Sequence, residues 1–566
     1  MHPMCDVIKQ LMKKFYFIFL AAVLLTQYAC AQQNKPNKAE EALKAGIKKA
    51  YPACVRMWSY DTTANKRTGG QFSGVVVDKE HHILTAAHVT WPGLTYKVMF
   101  PDGREAIAVA LGKIELAADK TRPDVAIMQV ITKGDWPYAD MGSSAALVVA
   151  EPLISIAYPE TLNQDKPTVR FGHVTEVKNS RGFIKSTCMM EPGDSGGPLF
   201  DLSGNVIGLH SAIEVPEDAN YDVPVDLYKK YWKSLMLPTV YHALPDSVII
   251  SVPRVNKSVF KEPAAARLSK LNGTCVTIRS SSNGVSQQAL GALFFVDGLH
   301  LKTSKNHTII VSKSSIVADA PVVMVGKKMV AATIISRDKE NDLVLLVPAS
   351  DIRGGINYQA ICKDTLLDLA PGTFLRSPQP DTADITGVLG SKLFLLPKVV
   401  NAGYLGIFVG DNNASTSALW VKPNSPAAKN GIVAKDAVTE INGLPVHTAS
   451  EFKARMQAHW PGDTLILKIK RAEVFMTKAT VLGTVPAVHF DHPAELFAGG
   501  KSDRRDGFKE VFAHDSRLTP QRCGGPAFDC EGHFYGINIA RYSRAVSITI
   551  PSKKVLKFIA DSFQKE

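Results

Sequence analysis

The 566-residue sequence lacks three patterns, each of which would indicate a class of function. Its formal net charge is +12, yet no segment combines a dense Lys/Arg run with interleaved aromatic residues, so a nucleic-acid partner is not expected. None of the cysteines beyond residue 50 forms a C-x-x-C pair, and no histidine cluster would complete a tetrahedral zinc site. The apolar run at 15–25 is too short to span a membrane comfortably.

Residues 1–31 have the pattern of a signal peptide, with Met12 as an alternative start of translation. Lys13 and Lys14 precede the apolar run, and Ala29-Cys30-Ala31 supplies the small residues that a signal peptidase accepts. This pattern predicts a soluble protein that is exported to the periplasm or secreted.

The alternative is a lipoprotein attached to the membrane through Cys30. A lipoprotein signal also places a cysteine after a small residue, as Ala29 does here, but Gln27 is a poor match to the aliphatic residue usual three positions before that cysteine. An exported chain enters an oxidising compartment that permits disulfide bonds, whose connectivity the sequence does not reveal. The candidates are Cys54, Cys188, Cys275, Cys362, Cys523 and Cys530.

The composition is that of a globular protein with about three domains, because a chain of this length is too long for one hydrophobic core. An amphipathic helix at 37–51 is followed by short β-branched runs separated by Gly, Asp and Asn, which predict a sandwich or barrel. A helix at 228–235 ends this first domain, 37–236, and a linker follows at 237–264.

The later part of the chain repeats this first domain. The residues Gly196-Gly197-Pro198 recur as Gly524-Gly525-Pro526, a displacement of 328 positions, whereas Asp124 and the strand after it recur at Asp342, a displacement of 218. The second copy has therefore gained 110 residues (328 minus 218) between these two points. We predict that the second copy comprises 265–400 and 484–566, with a separate domain inserted at 401–483.

The first copy contains the groups that a peptide-bond hydrolase needs. Ser195 lies in the turn Gly193-Asp194-Ser195-Gly196-Gly197-Pro198, whose glycines can adopt dihedrals closed to other residues. Such a turn can direct the Gly193 and Ser195 N–H groups at one developing oxyanion. His88 ends an apolar strand and Asp124 begins another, so they are candidates for the base and the carboxylate that orients it. Taken singly, each of these two residues is more often structural.

Together, the sequences T-A-A-H-V around His88 and G-D-S-G-G-P around Ser195 resemble those of trypsin-like serine peptidases, in the order His, Asp, Ser of that fold. The resemblance implies a catalytic triad of His88, Asp124 and Ser195, an oxyanion hole formed by Gly193 and Ser195, and a structural role for Asp194. It implies no metal and no organic cofactor.

The order of strands and helix at 401–483 resembles a PDZ domain, and the chain as a whole resembles the HtrA (Deg) peptidases of bacterial envelopes. It departs from their arrangement because a second protease-like copy surrounds the PDZ domain. The expected fold is mostly β, with a trypsin-like double β-barrel followed by a degenerate trypsin-like domain that the PDZ domain interrupts.

The second copy is predicted to be inactive. Alignment of the two copies places Ser315 at the position of the base, and a hydroxyl cannot accept a proton near neutral pH as imidazole can. Asp342 retains the acid position, and Cys523 replaces the nucleophile. A thiol could in principle attack because it is partly ionised without help, but the missing base argues against this, and a buried or disulfide-bonded cysteine is the simpler interpretation.

Two further sets of residues are candidates for substrate binding. The PDZ resemblance implies that Tyr404-Leu405-Gly406-Ile407 holds the C-terminal carboxylate of a peptide. By position in trypsin-like enzymes, Met189 and Met190 approach the pocket for the side chain before the scissile bond. No carboxylate is expected there, so small or medium apolar side chains are favoured over Lys or Arg.

The sequence therefore predicts an exported serine endopeptidase that hydrolyses unfolded or misfolded proteins and binds peptide C-termini through its PDZ domain. Two alternatives stay open: a proteolytically silent PDZ-containing chaperone or binding protein, and a processing protease with a narrow specificity. HtrA relatives are commonly trimeric, so the resemblance also implies a homo-oligomer.

Overall fold

The computed structural model describes residues 38–115, 123–249, 271, 273–282, 284–296, 307–363, 367, 369–410, 415–486 and 491–564. We call 38–249 the first unit, 271–400 with 484–564 the second unit, and 401–483 the inserted unit. The predicted signal peptide, including Cys30, and residues 250–264 of the predicted linker lie outside the described residues. Among the helices that the structure describes, none has the length and apolar character needed to span a bilayer.

The first unit begins with an amphipathic helix, α1 (Lys38–Ala50), whose apolar face is buried. Leu43 and Ile47 lie four residues apart on that face, as the helical period requires. The acidic residues of its first turn and the basic residues of its last turn are placed favourably for the helix dipole. The buried face packs into the core between the two barrels of the first unit, so the predicted helix at 37–51 is confirmed.

Six strands form the first barrel, in the order β1-β4-β5-β6-β3-β2, and the pairing of β1 with β2 and of β5 with β6 closes the ring. The two longest strands are β2, which pairs with β1 and β3, and β5, which pairs with β4 and β6. The strands are β1 (Cys54–Asp61), β2 (Lys66–Val76), β3 (His82–Thr85), β4 (Thr95–Met99), β5 (Glu105–Ile114) and β6 (Val125–Val130).

Six more strands form a second closed barrel, in the order β10-β11-β12-β9-β8-β7. Two short helices and a strand that pairs with β5 end the unit, and this last strand lies within the segment predicted to be a linker. The elements are β7 (Pro152–Ala157), β8 (Thr168–Glu176), β9 (Ile184–Ser186), β10 (Pro198–Phe200), β11 (Val206–Ile213), β12 (Asn220–Pro224), α2 (Val225–Lys230), α3 (Trp232–Leu235) and β13 (Val240–Tyr241).

The second unit begins with a barrel of the same connectivity. Its ring, β14-β17-β18-β19-β16-β15, has the strand order of the first barrel when the strands are taken in chain order. The elements are β14 (Cys275–Ser282), β15 (Val285–Phe295), β16 (Thr308–Lys313), β17 (Val322–Val325), β18 (Lys328–Asp338), β19 (Leu343–Pro348), β20 (Ile356–Asn357) and α4 (Tyr358–Ile361).

Three strands, β21 (Phe374–Ser377), β22 (Ile385–Val388) and β23 (Phe394–Leu396), then lead into the inserted unit. That unit has its own apolar core, built around Leu465, Leu467 and Ile469. Its elements are β24 (Ile407–Phe408), β25 (Trp420–Val421), α5 (Pro426–Lys429), β26 (Ala437–Ile441), β27 (Leu444–Pro445), α6 (Ala449–Gln457), β28 (Thr464–Arg471) and β29 (Val474–Val481).

The chain then returns to the second unit and completes a sheet of order β22-β21-β31-β32-β33-β30-β23. Six of these strands follow the order of the second barrel, and the insertion falls between the strands equivalent to β8 and β9. Helix α7 covers this unit's core with Val555, Phe558 and Ile559. The elements are β30 (Phe508–His514), β31 (Pro526–Asp529), β32 (Phe534–Arg541), β33 (Ser547–Pro551) and α7 (Ser552–Gln564).

Candidate active site

His88 and Asp124 are brought together by the pairing of two strands in the first barrel. His88 follows β3, Asp124 directly precedes β6, and these strands pair antiparallel. The Asp124 carboxylate accepts a hydrogen bond from the His88 backbone N–H at 2.9 Å, and its Oδ2 lies 2.7 Å from His88 Nδ1. Ser211 Oγ donates a further bond to Oδ2 at 2.7 Å. The buried carboxylate therefore fixes the orientation of the imidazole ring.

Ser195 comes from the second barrel, in the turn before β10. Its Oγ lies 3.0 Å from His88 Nε2, within hydrogen-bond distance. The three predicted residues thus form one connected row from Asp124 through His88 to Ser195. This arrangement can move a proton from the hydroxyl to the imidazole while the carboxylate stabilises the resulting cation.

The negative charge of Asp124 and the positive charge of protonated His88 stabilise each other. Burial lowers the pKa of His88, but the hydrogen bond to Asp124 and the negative charge of that residue outweigh burial and raise the pKa above its usual value. Burial raises the pKa of Asp124, but the bonds from His88 and Ser211 bring it below its usual value. Asp124 is therefore ionised at neutral pH, as a partner of an imidazolium must be.

A hydrogen bond to the preceding carbonyl group fixes the direction of the Gly193 N–H group. The Pro192 carbonyl accepts a hydrogen bond from the Glu160 N–H at 2.9 Å. Because the C=O and N–H of a trans peptide point in opposite directions, the Gly193 N–H points away from Glu160. Gly193 has a φ of +96°, which favours glycine, and an added Cβ would lie 2.4 Å from the Glu160 nitrogen.

The same reasoning applies to the Ser195 N–H group. The Asp194 carbonyl accepts a hydrogen bond from the Gly197 N–H at 2.7 Å, so the Ser195 N–H points the other way. Within the described residues, neither this N–H nor that of Gly193 donates a hydrogen bond. Both N–H groups are thus available to an oxygen atom of a bound molecule, as an oxyanion hole requires.

Asp194 faces away from the triad, in agreement with its predicted structural role. Its Oδ2 lies 2.6 Å from Nη1 of Arg170, and both side chains are buried. The same carboxylate oxygen accepts the Glu191 N–H at 2.9 Å. The ion pair therefore holds the turn that carries Ser195 from behind.

A cavity of about 400 Å³ adjoins the triad and contains the space that a substrate would occupy. Met190 lines it as predicted, but Met189 lies in a core shared with the second unit and does not reach the cavity. The sequence led us to expect no carboxylate here, but two glutamates line the cavity: Glu191, which directly follows Met190, and Glu160 from another loop. The lining residues are Gln71, His88, Glu160, Met190, Glu191, Pro192, Gly193, Ser195, Ser211, Ala212, Ile213, His492 and Pro493.

Among the lining residues that were not predicted, His492 and Pro493 belong to the second unit. They are fixed next to the first unit by Arg544, which donates to the carbonyl oxygens of Pro493 at 3.3 Å and Glu214 at 2.6 Å. Nothing in the local sequence marks them, since they reach the cavity only through the packing of the two units.

The second unit repeats part of the backbone arrangement of the site, but its side chains at the equivalent positions differ. The Leu290 N–H donates to the Cys523 carbonyl at 3.0 Å, just as the Ser73 N–H donates to the Ser195 carbonyl at 2.9 Å. Cys523 therefore occupies the position of the nucleophile, as the alignment predicted. Its thiol is buried, and burial raises its pKa, so it is a poor source of thiolate.

The acid of the second unit is retained but has other partners. Asp342 accepts hydrogen bonds from the Ser315 N–H at 2.7 Å and the Ser315 hydroxyl at 2.8 Å, so Ser315 takes the place of the base. Arg504 Nη1 lies 3.7 Å from Asp342 Oδ1. The guanidinium of Arg504 also lies 4.2 Å from the ring centroid of Trp460, in the inserted unit. Arg504 thus connects Asp342, the equivalent of Asp124, to the inserted unit.

The predicted carboxylate-binding segment 404–407 lies at the start of the inserted unit. Tyr404 exchanges two backbone hydrogen bonds with Gly483, at 2.8 and 2.9 Å, so its N–H is not available to a ligand. The Leu405 carbonyl accepts the Ala427 N–H at 3.0 Å, which directs the Gly406 N–H to the opposite side. Of the four residues, Leu405, Gly406 and Ile407 remain candidates for binding a peptide.

Two groups in the described residues have the composition of a metal site, Asp78-Glu80-His82 and Asp529-Glu531-His533. In each of them the imidazole Nδ1 already lies 2.7 Å from a carboxylate oxygen of the same turn. These contacts stabilise turns between strands, and neither group adjoins the cavity at Ser195.

Comparisons with known proteins agree with this geometry. Residues 72–209 match the family model of the trypsin-like peptidase domain, and residues 403–481 match that of the PDZ domain. The chain is 31% identical over 157 residues to a probable periplasmic serine endoprotease, DegP-like, of Bartonella henselae, an alignment that covers 27% of this chain and 29% of that protein. A DegP-like protein of Brucella suis biovar 1 is 23% identical over 404 residues, 70% of this chain and 69% of its own.

The chain spans between 29% and 59% of the length of the first relatives that it matches. Among solved structures, the serine endoprotease from Yersinia pestis aligns with 78% of this chain and 98% of its own length, at a TM-score of 0.29 and 14% sequence identity. Residues 72–209 are thus similar to the trypsin-like peptidase domain, residues 403–481 are similar to the PDZ domain, and the chain resembles DegP-like serine endoproteases of bacteria.

Proposed function

We propose that the chain is an exported serine endopeptidase in which His88, Asp124 and Ser195 form the catalytic triad. One observation carries the proposal: the Ser195 hydroxyl lies 3.0 Å from His88 Nε2, while His88 Nδ1 lies 2.7 Å from the buried Asp124. The order, the distances and the burial are those that acyl transfer by a serine requires.

In this mechanism Ser195 Oγ attacks the carbonyl carbon of the scissile peptide bond and His88 takes its proton. The Gly193 and Ser195 N–H groups stabilise the oxyanion of the tetrahedral intermediate. His88 then returns the proton to the leaving amine, and the C–N bond breaks. Water, activated by His88, hydrolyses the acyl-enzyme and releases the second product.

The raised pKa of His88 predicts how activity depends on pH. Only the neutral imidazole can accept the proton of Ser195, so kcat/KM should fall as the pH drops through the pKa of His88 in the free enzyme. Because Asp124 raises that pKa, the midpoint should lie above the usual value of about 6.5. A pH–rate profile measures this midpoint, and a value below 6.5 would contradict the proposed electrostatics.

A covalent probe tests the proposed activity most directly. Incubation with a fluorescent fluorophosphonate should label the wild-type chain, and the label should be absent from a Ser195→Ala variant. If the wild-type chain is not labelled under any condition, with peptide activators included, the protein is a binding or chaperone protein instead.

We further propose that the substrates are unfolded or misfolded polypeptides and that the PDZ domain binds their C-termini. Support comes from the match of 403–481 to the PDZ model and from the backbone N–H groups of Leu405, Gly406 and Ile407 at the start of its sheet. Digestion of unfolded casein distinguishes this broad activity from that of a processing protease with one target.

We place the protein in the periplasm or outside the cell, because relatives such as that of Bartonella henselae are named as periplasmic. The signal pattern at 1–31 supports this location, and attachment through Cys30 is the alternative form of export. A homo-oligomer stays a prediction from the HtrA resemblance.

The second unit is proposed to be a degenerate trypsin-like domain without catalytic activity. Replacing Cys523 with alanine should leave the rate of casein hydrolysis close to that of the wild-type chain, because Ser315 cannot act as a base and the thiol is buried. The cost should be confined to stability, at about 1 kcal/mol. A loss of activity comparable with that of Ser195→Ala would show that the second unit is an active peptidase.

A further inference from the structure

Strand β8 of the first unit carries Arg170, and the second unit binds the backbone on both sides of this residue. The Val169 N–H donates to the carbonyl of Gly390 at 2.9 Å, and the Phe171 N–H donates to Oδ2 of Asp515 at 2.8 Å. Gly390 and Asp515 both belong to the second unit. Arg170 is thus fixed at its two flanking peptides by groups that the first unit does not contain.

Asp515 joins β8 to a strand of the second unit. Its Oδ1 accepts the Val388 N–H at 2.6 Å, while its Oδ2 accepts the Phe171 N–H. The side chain is buried, which strengthens both hydrogen bonds. Together with the bond from Val169 to Gly390, this carboxylate therefore holds β8 against the second unit on both sides of Arg170.

From this position Arg170 reaches both ends of the turn that precedes Ser195. Its Nη1 donates to the Met189 carbonyl at 3.1 Å and to Asp194 Oδ2 at 2.6 Å, and its Nη2 donates to Asp194 Oδ1 at 3.3 Å. Arg170 is one of the most deeply buried large side chains in the described residues. The guanidinium thus spans 189–194, the segment whose shape directs the Gly193 and Ser195 N–H groups.

We propose that Arg170 is a positioning residue for the oxyanion hole and that the second unit, through Asp515, keeps it in place. This inference rests on the proposed function and extends it: the degenerate copy is needed for the activity of the first copy, although it takes no part in the chemistry. Arg170 acts on Gly193 and Ser195 through Asp194 and touches no substrate.

Other contacts of the second unit act on the loops around the same turn. Tyr542 Oη donates to the Thr161 carbonyl at 2.6 Å, and the Thr161 hydroxyl in turn donates to Glu191 at 2.9 Å. Arg541 Nη2 lies 2.7 Å from Glu217 Oε1, in the loop after the strand that carries Ser211. The second unit therefore holds the turn from several directions, with Asp515 nearest to Arg170.

The test uses Asp515→Ala in the full-length mature chain, with fluorophosphonate labelling kinetics and hydrogen exchange as two readouts. Loss of the carboxylate should lower the maximal labelling rate on the order of 10- to 100-fold, since a displaced oxyanion hole misaligns the reacting groups, and should leave the apparent affinity for the probe unchanged. Peptides covering 189–195 should exchange faster than in the wild-type chain.

Asp506→Ala is the matched control. Asp506 is also a buried carboxylate of the second unit that accepts backbone N–H groups, those of Val399 and Val400 at 2.8 and 2.6 Å, but these lie next to the inserted unit. This variant should label at the wild-type rate. If it slows as much as Asp515→Ala, the effect is a general loss of structure and the proposal is overturned.

Should Asp515→Ala not fold, Asp515→Asn replaces it, because the amide oxygen can still accept one of the two bonds. An unchanged labelling rate together with unchanged exchange at 189–195 overturns the proposal for either variant. The exchange readout does not depend on catalysis. A chain that shows faster exchange in the variant but no labelling even as wild type would confirm the positioning by Asp515 and refute the proposed peptidase.

Discussion

A Ser195→Ala variant should lose about six orders of magnitude in kcat for peptide hydrolysis, the loss seen when a serine protease is deprived of its nucleophile. The substitution removes the Oγ that lies 3.0 Å from His88 Nε2 and leaves the rest of the site in place. KM should change little, because Ser195 Oγ contributes to bond formation and not to holding the substrate. Steady-state kinetics on unfolded casein or a derived peptide measure both constants.

Cys523→Ala provides the comparison for this prediction, since Cys523 occupies the equivalent position in the second unit. A variant at Ser195 that keeps more than a small fraction of the wild-type rate, after removal of contaminating proteases, would refute the assignment of the nucleophile. An equal loss in both variants would mean that the two units share the catalytic work.

The second large effect is expected at Gly193. Its φ of +96° is unfavourable for alanine, and a Cβ would lie 2.4 Å from the Glu160 nitrogen and 2.7 Å from the Tyr158 carbonyl oxygen. The backbone must shift to relieve these contacts, and the Gly193 N–H then leaves the oxyanion hole. Gly193→Ala should therefore lower kcat by about 10²- to 10³-fold, the cost of one missing oxyanion donor.

Gly103→Ala is the control that distinguishes the effect of backbone strain from the loss of an oxyanion donor. Gly103 has a φ of +91°, close to that of Gly193, but open space surrounds the position of its Cβ. This variant should unfold more easily by about 1–2 kcal/mol and retain the wild-type kcat. If Gly193→Ala behaves in the same way, its N–H group is not an oxyanion donor.

The resemblance of T-A-A-H-V and G-D-S-G-G-P to the motifs of trypsin-like serine peptidases was sufficient to predict which residues meet at the candidate active site. His88, Asp124 and Ser195 each lie at the end of an apolar strand or in a glycine-rich turn, and such ends meet between the barrels of this fold. The internal repeat was equally informative, because the fixed displacement of the glycines identified Cys523 as the equivalent of Ser195. Short motifs and the spacing of repeated residues are therefore enough to identify the site residues and their equivalents in the second copy.

Packing between the units was not predictable in the same way. Met189 and Met190 are adjacent and chemically identical, yet Met189 packs in a core built mostly from the second unit while Met190 lines the cavity. His492 reaches the cavity through the packing of the two units. The Tyr404 N–H is used by Gly483 at the far end of the inserted unit, a contact that no short motif encodes.

The manner in which the inserted unit is attached has a consequence for any peptide bound there. It leaves the second unit after β23 and returns before β30, and these two strands pair with each other, Phe394 opposite Val511 and Leu396 opposite Phe508. Both connections therefore lie at the same end of one antiparallel strand pair, so the inserted unit is joined to the second unit through two neighbouring segments and not through a single linker. The effective concentration of a bound chain at the cleft is then set by the length of that chain between its C-terminus and the scissile bond. If the inserted unit binds peptide C-termini as proposed, the length of a substrate between its C-terminus and the scissile bond would influence how fast it is cleaved.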